Sequence, residues 1–222
     1  MDVAYLTNGE GPRLAYRLRP GASPTIIFLP GYASDMAGAK AVALDSFARE
    51  RGLAMLRFDY SGTGLSEGDF ADGTLDRWLG EALHSLDTLT SGPVILVGSS
   101  MGGWIALHLA LRRPERLAAL LGIAAAPDFT DWGGRAGLTD AFFQSGQSNL
   151  LLKNDIAVEC PVRLVHGEKD ADVPLNIALL LLERLRSADV QLTIIKDGGH
   201  RLSEPHEIRA ILRTVAALLE TS

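Results

Sequence analysis

Apolar residues along this chain fall into short unbroken runs, separated by segments in which they recur every three or four positions. That alternation predicts strands and helices in turn. The unbroken runs Thr25–Leu29, Leu53–Phe58, Val94–Val97, Leu117–Ile123, Val162–His166 and Val190–Ile195 read as strands. The periodic segments Lys40–Arg51, Leu75–Thr90, Gly103–Arg113, Leu175–Ser187 and Pro205–Leu219 read as helices. In the second of these, Leu75, Leu79, Ala82, Leu83, Leu86 and Leu89 form one apolar stripe behind Thr74, a good N-cap. Strands without polar alternation, spaced by amphipathic helices, predict an α/β fold with a mostly parallel sheet covered on both faces. The opening segments Val3–Leu6 and Leu14–Leu18 read as a hairpin, with turn signals at Asn8-Gly9 and Gly11-Pro12.

Residues 127–157 break the pattern. They carry Phe129, Trp132, Phe142, Phe143 and Leu150-Leu151-Leu152 among glycines and polar residues, and the segment is too long for an ordinary connection. It leaves one strand end and returns at the next, as a short lid over the site would. A helical excursion packed on the surface as extra core stays open as the alternative.

With 222 residues, 47% of them hydrophobic, the chain can bury a sizeable core and reads as a single domain, 1–222. A formal charge of −6 and the lack of a basic stripe beyond Arg112-Arg113 argue against a nucleic-acid partner. The apolar run Leu117–Ala126 is too short to span a bilayer. The N-terminus, Met1-Asp2-Val3-Ala4-Tyr5, has neither a signal-peptide nor a transit-peptide layout. A lone cysteine, Cys160, fits a reducing compartment. Together these predict a cytoplasmic protein.

The chemistry concentrates at Gly98-Ser99-Ser100-Met101-Gly102, set between a predicted strand and a predicted helix. A Gly-x-Ser-x-Gly there is a nucleophile elbow, which lifts the Ser100 hydroxyl above the sheet and aims the first helix amides at it. The competing reading is a tight packing turn. A serine nucleophile needs a base, and His200, in the loop Asp197-Gly198-Gly199-His200 after the last predicted strand, is the candidate, with His206 the rival. His84 and His108 lie within predicted helices, and His166 ends a strand. The imidazole needs a carboxylate partner, and reactive groups in such sheets gather past the strand ends. Asp170 follows Val162–His166 in a tight turn. Asp172 lies nearer the next helix and could cap it, and Asp128 follows the preceding strand. For the oxyanion hole the candidates are the amides of Met101 and of Tyr32, which follows Pro30-Gly31. No metal-ligand spacing and no phosphate-binding loop appear, so no metal and no cofactor are expected.

With these parts in order, the sequence resembles the α/β-hydrolase superfamily over its whole length, and the loop Phe58-Asp59-Tyr60-Ser61-Gly62-Thr63-Gly64-Leu65-Ser66 agrees. It looks most like the group of mitochondrial palmitoyl-protein thioesterases that are also acyl-glucuronide esterases. The matching stretches are Ile27–Tyr32, Arg57–Gly62, Val97–Trp104, Cys160–Gly167 with Lys169-Asp170, and His200-Arg201. The chain departs from that group in a shorter lid and in lacking a transit peptide. The resemblance implies the triad Ser100, Asp170 and His200 and a hydrolase of esters or thioesters, acting on a small-molecule or acylated substrate. An idle scaffold serving as a receptor and an acyltransferase using the same triad remain alternatives. Phe129, Trp132, Phe142 and Phe143, with Trp104 beneath, are the expected substrate-binding residues.

Overall fold

The computed structural model describes residues 2–7, 9, 11–135 and 137–220. Asn8 of the expected first turn, and Ala136 of the expected lid, lie outside the described residues. Among the described residues eight strands form one sheet: β1 (Ala4–Leu6), β2 (Leu14–Arg19), β3 (Ala22–Leu29), β4 (Leu53–Phe58), β5 (Val94–Ser99), β6 (Leu117–Ile123), β7 (Val162–Gly167) and β8 (Val190–Ile195). Their order is β1-β2-β4-β3-β5-β6-β7-β8. β1 and β2 pair antiparallel, as the hairpin reading required, and β2 joins β4 antiparallel. From β4 to β8 every neighbouring pair is parallel.

The helices are α1 (Ala39–Glu50), α2 (Leu75–Leu89), α3 (Met101–Arg112), α4 (Phe129–Trp132), α5 (Asp140–Gln147), α6 (Leu175–Arg184) and α7 (Pro205–Glu220). Successive strand residues point to opposite faces of the sheet, and β3 shows how this divides the core. Ile26 and Phe28 pack with Leu44 and Phe47 of α1 and Ile211 and Val215 of α7. Ile27 and Leu29 pack on the other face with Trp78 of α2 and Trp104 of α3. Thr74 caps α2 as expected, its hydroxyl accepting the Arg77 amide at 3.1 Å.

Several boundaries differ from the sequence reading, such as β3, which starts at Ala22 and not Thr25, and at α3 and α6 the difference has a local reason. α3 begins at Met101, not Gly103, because the helix starts directly from the elbow at Ser100. α6 stops at Arg184, before Ser187, because Ile156 takes over the following backbone. The Ile156 amide donates to Arg184 O at 2.7 Å, and the Arg186 amide donates to Ile156 O at 3.0 Å.

The 127–157 segment folds as α4 and α5 plus turns. It is anchored by polar contacts at both ends. Asp128 is 2% exposed, and its carboxylate accepts the amides of Leu151 and Leu152 at 2.9 and 2.7 Å, tying the exit of the segment to its entry. Asn149 O receives Trp104 Nε1 at 3.2 Å and lies 3.0 Å from His108 Nε2. Ser145 Oγ donates to Asp76 on α2 at 2.6 Å.

His108 gives this anchor a pH dependence. Burial pushes its pKa down to about 4, against the bond to Asn149. A folded-state pKa below the unfolded value means the contribution is complete above about pH 6.5 and is lost as pH falls toward 4. Other buried groups titrate over the same range, so the difference between two proteins isolates His108. Wild type is expected to lose on the order of 2 kcal/mol more stability than His108→Gln between pH 7 and pH 4. Parallel denaturation series at the two pH values check this, and equal losses contradict it.

Candidate active site

The site is built where β3, β5, β7 and β8 end along one edge of the sheet, and it starts with a strained residue. Ser100 has φ 53° and ψ −120°, a conformation that L side chains rarely adopt. Its neighbours hold it there. The Ser100 amide donates to Ile123 O at 2.9 Å, and its carbonyl accepts the amides of Gly103 and Ala126 at 2.9 and 3.1 Å. The flanking glycines are sterically obligatory. A Cβ at Gly98 would overlap the Gly102 carbonyl group, and one at Gly102 would overlap the carbonyl oxygens of Leu29 and Pro30. The elbow is therefore a turn with no room for a side chain at either flanking glycine, and it carries Ser100 at its apex.

His200 comes from the loop after β8. Its Nε2 lies 3.0 Å from Ser100 Oγ and its Nδ1 lies 2.9 Å from Asp170 Oδ2. A carboxylate at Nδ1 fixes the neutral tautomer with the proton on that nitrogen, which leaves Nε2 to accept from the serine hydroxyl. The loops carrying Asp170 and His200 are stitched together: the Lys169 amide donates to Gly198 O at 2.8 Å, and a Cβ at Gly167 would overlap the Gly198 backbone.

Asp170 is 9% exposed, and its second oxygen accepts the amides of Asp172 and Val173 at 3.0 and 2.8 Å. Burial pushes its pKa up, but the bond from His200 and the two amides outweigh burial and hold it below the usual carboxylate range. It stays ionised beside the imidazole. The rivals have other work. Asp172 is exposed and contributes an amide, and it does not cap α6, whose N-cap is Pro174. Asp128 clamps its own segment. His166 is buried, with Nε2 2.9 Å from Val173 O, and so shapes the Asp170 turn. His206 is exposed at the start of α7, and His84 is half-buried with Nε2 2.9 Å from Thr7 O.

Gly31 approaches the serine so closely that a Cβ there would sit 3.2 Å from Ser100 Cβ. This places the backbone of Tyr32 beside the elbow, with Met101 opening α3 on the other side. A cleft of about 480 Å³ opens over Ser100 and His200, walled by Gly31, Tyr32, Ser34 and Lys40. Lys40 Nζ donates to the carbonyl of Arg201, next to the imidazole. Sequence reasoning missed this polar wall.

The expected aromatic lining borders Tyr32 and is not part of the wall of this cleft. Trp104 and Phe142 are fully buried, while Phe129, Trp132 and Phe143 are half-buried. Tyr32 joins the two regions, its ring 5.1 Å from Phe142 and 6.3 Å from Phe129. Among the described residues, Asp170, Asp172 and His200 bring three ligand atoms within 4.8 Å of one another. The oxygens of Asp170 are already taken by the imidazole and two amides, so the group is a hydrogen-bonded pair with an exposed carboxylate beside it.

Comparisons with known proteins agree with this geometry. The family described as the alpha/beta hydrolase fold is matched over residues 24–141. The mitochondrial palmitoyl-protein thioesterase ABHD10 of Mus musculus is 38% identical, covering 99% of this chain and 83% of its own length. Its Homo sapiens counterpart is 37% identical, with 99% and 80% covered. The solved structure of mouse alpha/beta hydrolase domain-containing protein 10 superposes with a TM-score of 0.93, covering 99% of both chains. These relatives are named as mitochondrial, which overturns the expectation of a cytoplasmic protein. The physical reason is that a compartment is addressed by a leader segment, and the composition of a folded body carries no such address. Among the described residues no helix is long and apolar enough to cross a membrane.

Proposed function

The chain belongs to the α/β-hydrolase family and is a serine hydrolase of carboxylic esters or thioesters, and from that premise we propose that Ser100, His200 and Asp170 carry the reaction through an acyl-enzyme. One observation supports this above the rest: the unbroken relay from Ser100 Oγ to His200 at 3.0 Å and from His200 to Asp170 at 2.9 Å. As Ser100 Oγ bonds to the acyl carbon, its proton passes to His200 Nε2. The imidazolium that forms is stabilised by Asp170. The amides of Tyr32 and Met101 donate hydrogen bonds to the carbonyl oxygen as negative charge develops on it. The leaving alcohol or thiol takes the proton from His200 as the tetrahedral centre collapses. Water then repeats the sequence, giving its proton to His200 and releasing the acid.

The body is one domain, with residues 127–157 as a short lid that supplies the acyl site. In this reading the acyl chain lies against Tyr32 and Phe129, over a floor containing Trp104 and Phe142, with Trp132 and Phe143 at the margin. Each buried methylene contributes about 0.8 kcal/mol at most, so the site separates short from medium chains. Phe129→Ala is expected to lower kcat/KM several-fold for octanoyl esters and to leave acetyl esters nearly unaffected. Phe142→Ala removes a fully buried ring and is expected to cost about 3–5 kcal/mol of stability. A panel of p-nitrophenyl esters of rising acyl length, run beside acyl thioesters, checks the reading. Losses of equal size at every chain length would confine the segment to supporting the fold.

A further inference from the structure

The loop that carries Tyr32 must stay fixed while charge develops on the substrate, yet Ala33 and Ser34 are exposed and no strand or helix includes residues 31–38. Besides the packing of the Tyr32 ring, one buried carboxylate and one buried guanidinium hold it. Asp59, directly after β4, is 1% exposed. One of its oxygens accepts the Met36 amide at 2.6 Å, and the other accepts the Leu65 amide at 2.8 Å. Two residues earlier, Arg57 Nη1 donates to Met36 O at 2.7 Å. Both backbone groups of Met36, itself buried, are thus held by side chains of the β4 end.

Burying this carboxylate is costly. Burial pushes its pKa up, and the amides of Leu65 and Met36 only partly counter that. A sequence that needed only packing would place an apolar side chain here, and departures from that rule concentrate at functional sites. Gly64 is shaped around it: φ is +50°, and a Cβ there would overlap the Asp59 carboxylate. The Ser66 hydroxyl also donates to Asp59 O at 2.6 Å. The glycine loop after β4 and the loop after β3 therefore meet on a single side chain. The segment Ala33–Asp35 between them forms a wall of the Ser100 cleft and also of a neighbouring cavity of about 230 Å³ that reaches Gly62 and Phe70.

We propose that Asp59 is a positioning residue for the oxyanion loop, fixing the Tyr32 amide in its productive place through charge-assisted bonds to Met36 and Leu65. This rests on the oxyanion role given to Tyr32 above. Ionised acceptors bind amides about twice as strongly as neutral ones, and a misplacement of the donor by about 1 Å can cost ~100-fold in rate. The signature differs from that of a merely structural residue. A loosened oxyanion donor weakens the transition state and leaves ground-state binding almost intact, so kcat falls and KM does not.

The experiment compares wild type with Asp59→Asn, Arg57→Gln and Gly64→Ala, using p-nitrophenyl butyrate and an alkyl boronic acid whose tetrahedral adduct mimics the oxyanion. Asp59→Asn and Gly64→Ala are expected to lower kcat about tenfold or more, with KM within about threefold, and to weaken boronate binding in proportion to kcat/KM. Arg57→Gln should show the same split at smaller size. Thermal melts of each variant are recorded alongside. If kcat and boronate affinity stay at wild-type values in the variants that fold, or if the loss lies in KM alone, Asp59 is structural and the proposal fails. Absence of turnover by wild type itself would instead defeat the hydrolase reading on which it rests.

Discussion

Ser100→Ala is expected to lower kcat by about 10⁴-fold or more, the scale on which triad serines act. Fluorophosphonate probes are expected to label the wild-type protein once, at Ser100. The size of the effect follows from the elbow. The strained backbone puts a single hydroxyl at the apex, with His200 Nε2 3.0 Å away. Alanine tolerates the turn no worse than serine, so the variant should fold and bind substrate while losing the covalent step. Residual activity would come from the oxyanion amides and binding alone. Labelling at another serine, or labelling that persists in Ser100→Ala, would move the nucleophile elsewhere.

Asp170→Asn is the second large effect, expected to lower kcat by about 10³–10⁴-fold. In the proposed mechanism the carboxylate has three roles, and an amide fails in the last two because it is neutral and can turn its NH2 toward Nδ1. It accepts from His200 Nδ1, fixes the tautomer that frees Nε2, and stabilises the imidazolium. Its ionised state is secured by the His200 bond and the Val173 and Asp172 amides against the pull of burial. Asp172→Asn should cost less than about threefold, because Asp172 takes part through its backbone amide, which asparagine retains. Steady-state kinetics of the two variants at one pH decides between them. A larger loss for Asp172→Asn would reverse the assignment.

Much of this was legible in the sequence because local rules and the fold agree there. Val94–Val97 running into Gly98-Ser99-Ser100-Met101-Gly102 predicts a strand, an elbow and a helix, and the structure places β5, Ser100 and α3 in that order. The same holds for Asp170 after β7 and His200 after β8, because a parallel sheet brings the ends of its strands together whatever their separation along the chain. The cleft wall was not legible. Lys40 reaches the cleft from the first turn of α1, and Asp59 holds the loop behind it from the end of β4; each reads locally as an ordinary helix lysine or turn aspartate. Their partners, Arg201 O and the Met36 amide, are backbone groups, which leave no pairing signal in residue types. The burial within the aromatic segment was not legible for a related reason. A phenylalanine such as Phe142 suits a substrate wall and a packed interior equally well, and it is the packing of α5 against α2, α4 and Tyr32 that buries it. Asp128 likewise passed the strand-end test, yet its carboxylate is used by Leu151 and Leu152.

The central claim is that an acyl group passes through Ser100. The most direct measurement is intact-protein mass spectrometry after rapid acid quench of wild type mixed with p-nitrophenyl butyrate, followed by peptide mapping. The account predicts a transient mass increase of one butyryl group, located on Ser100, that decays as butyrate appears and is absent from Ser100→Ala. Release of nitrophenol with no acylated protein at any time, or acylation at another residue with the same kinetics, would contradict it.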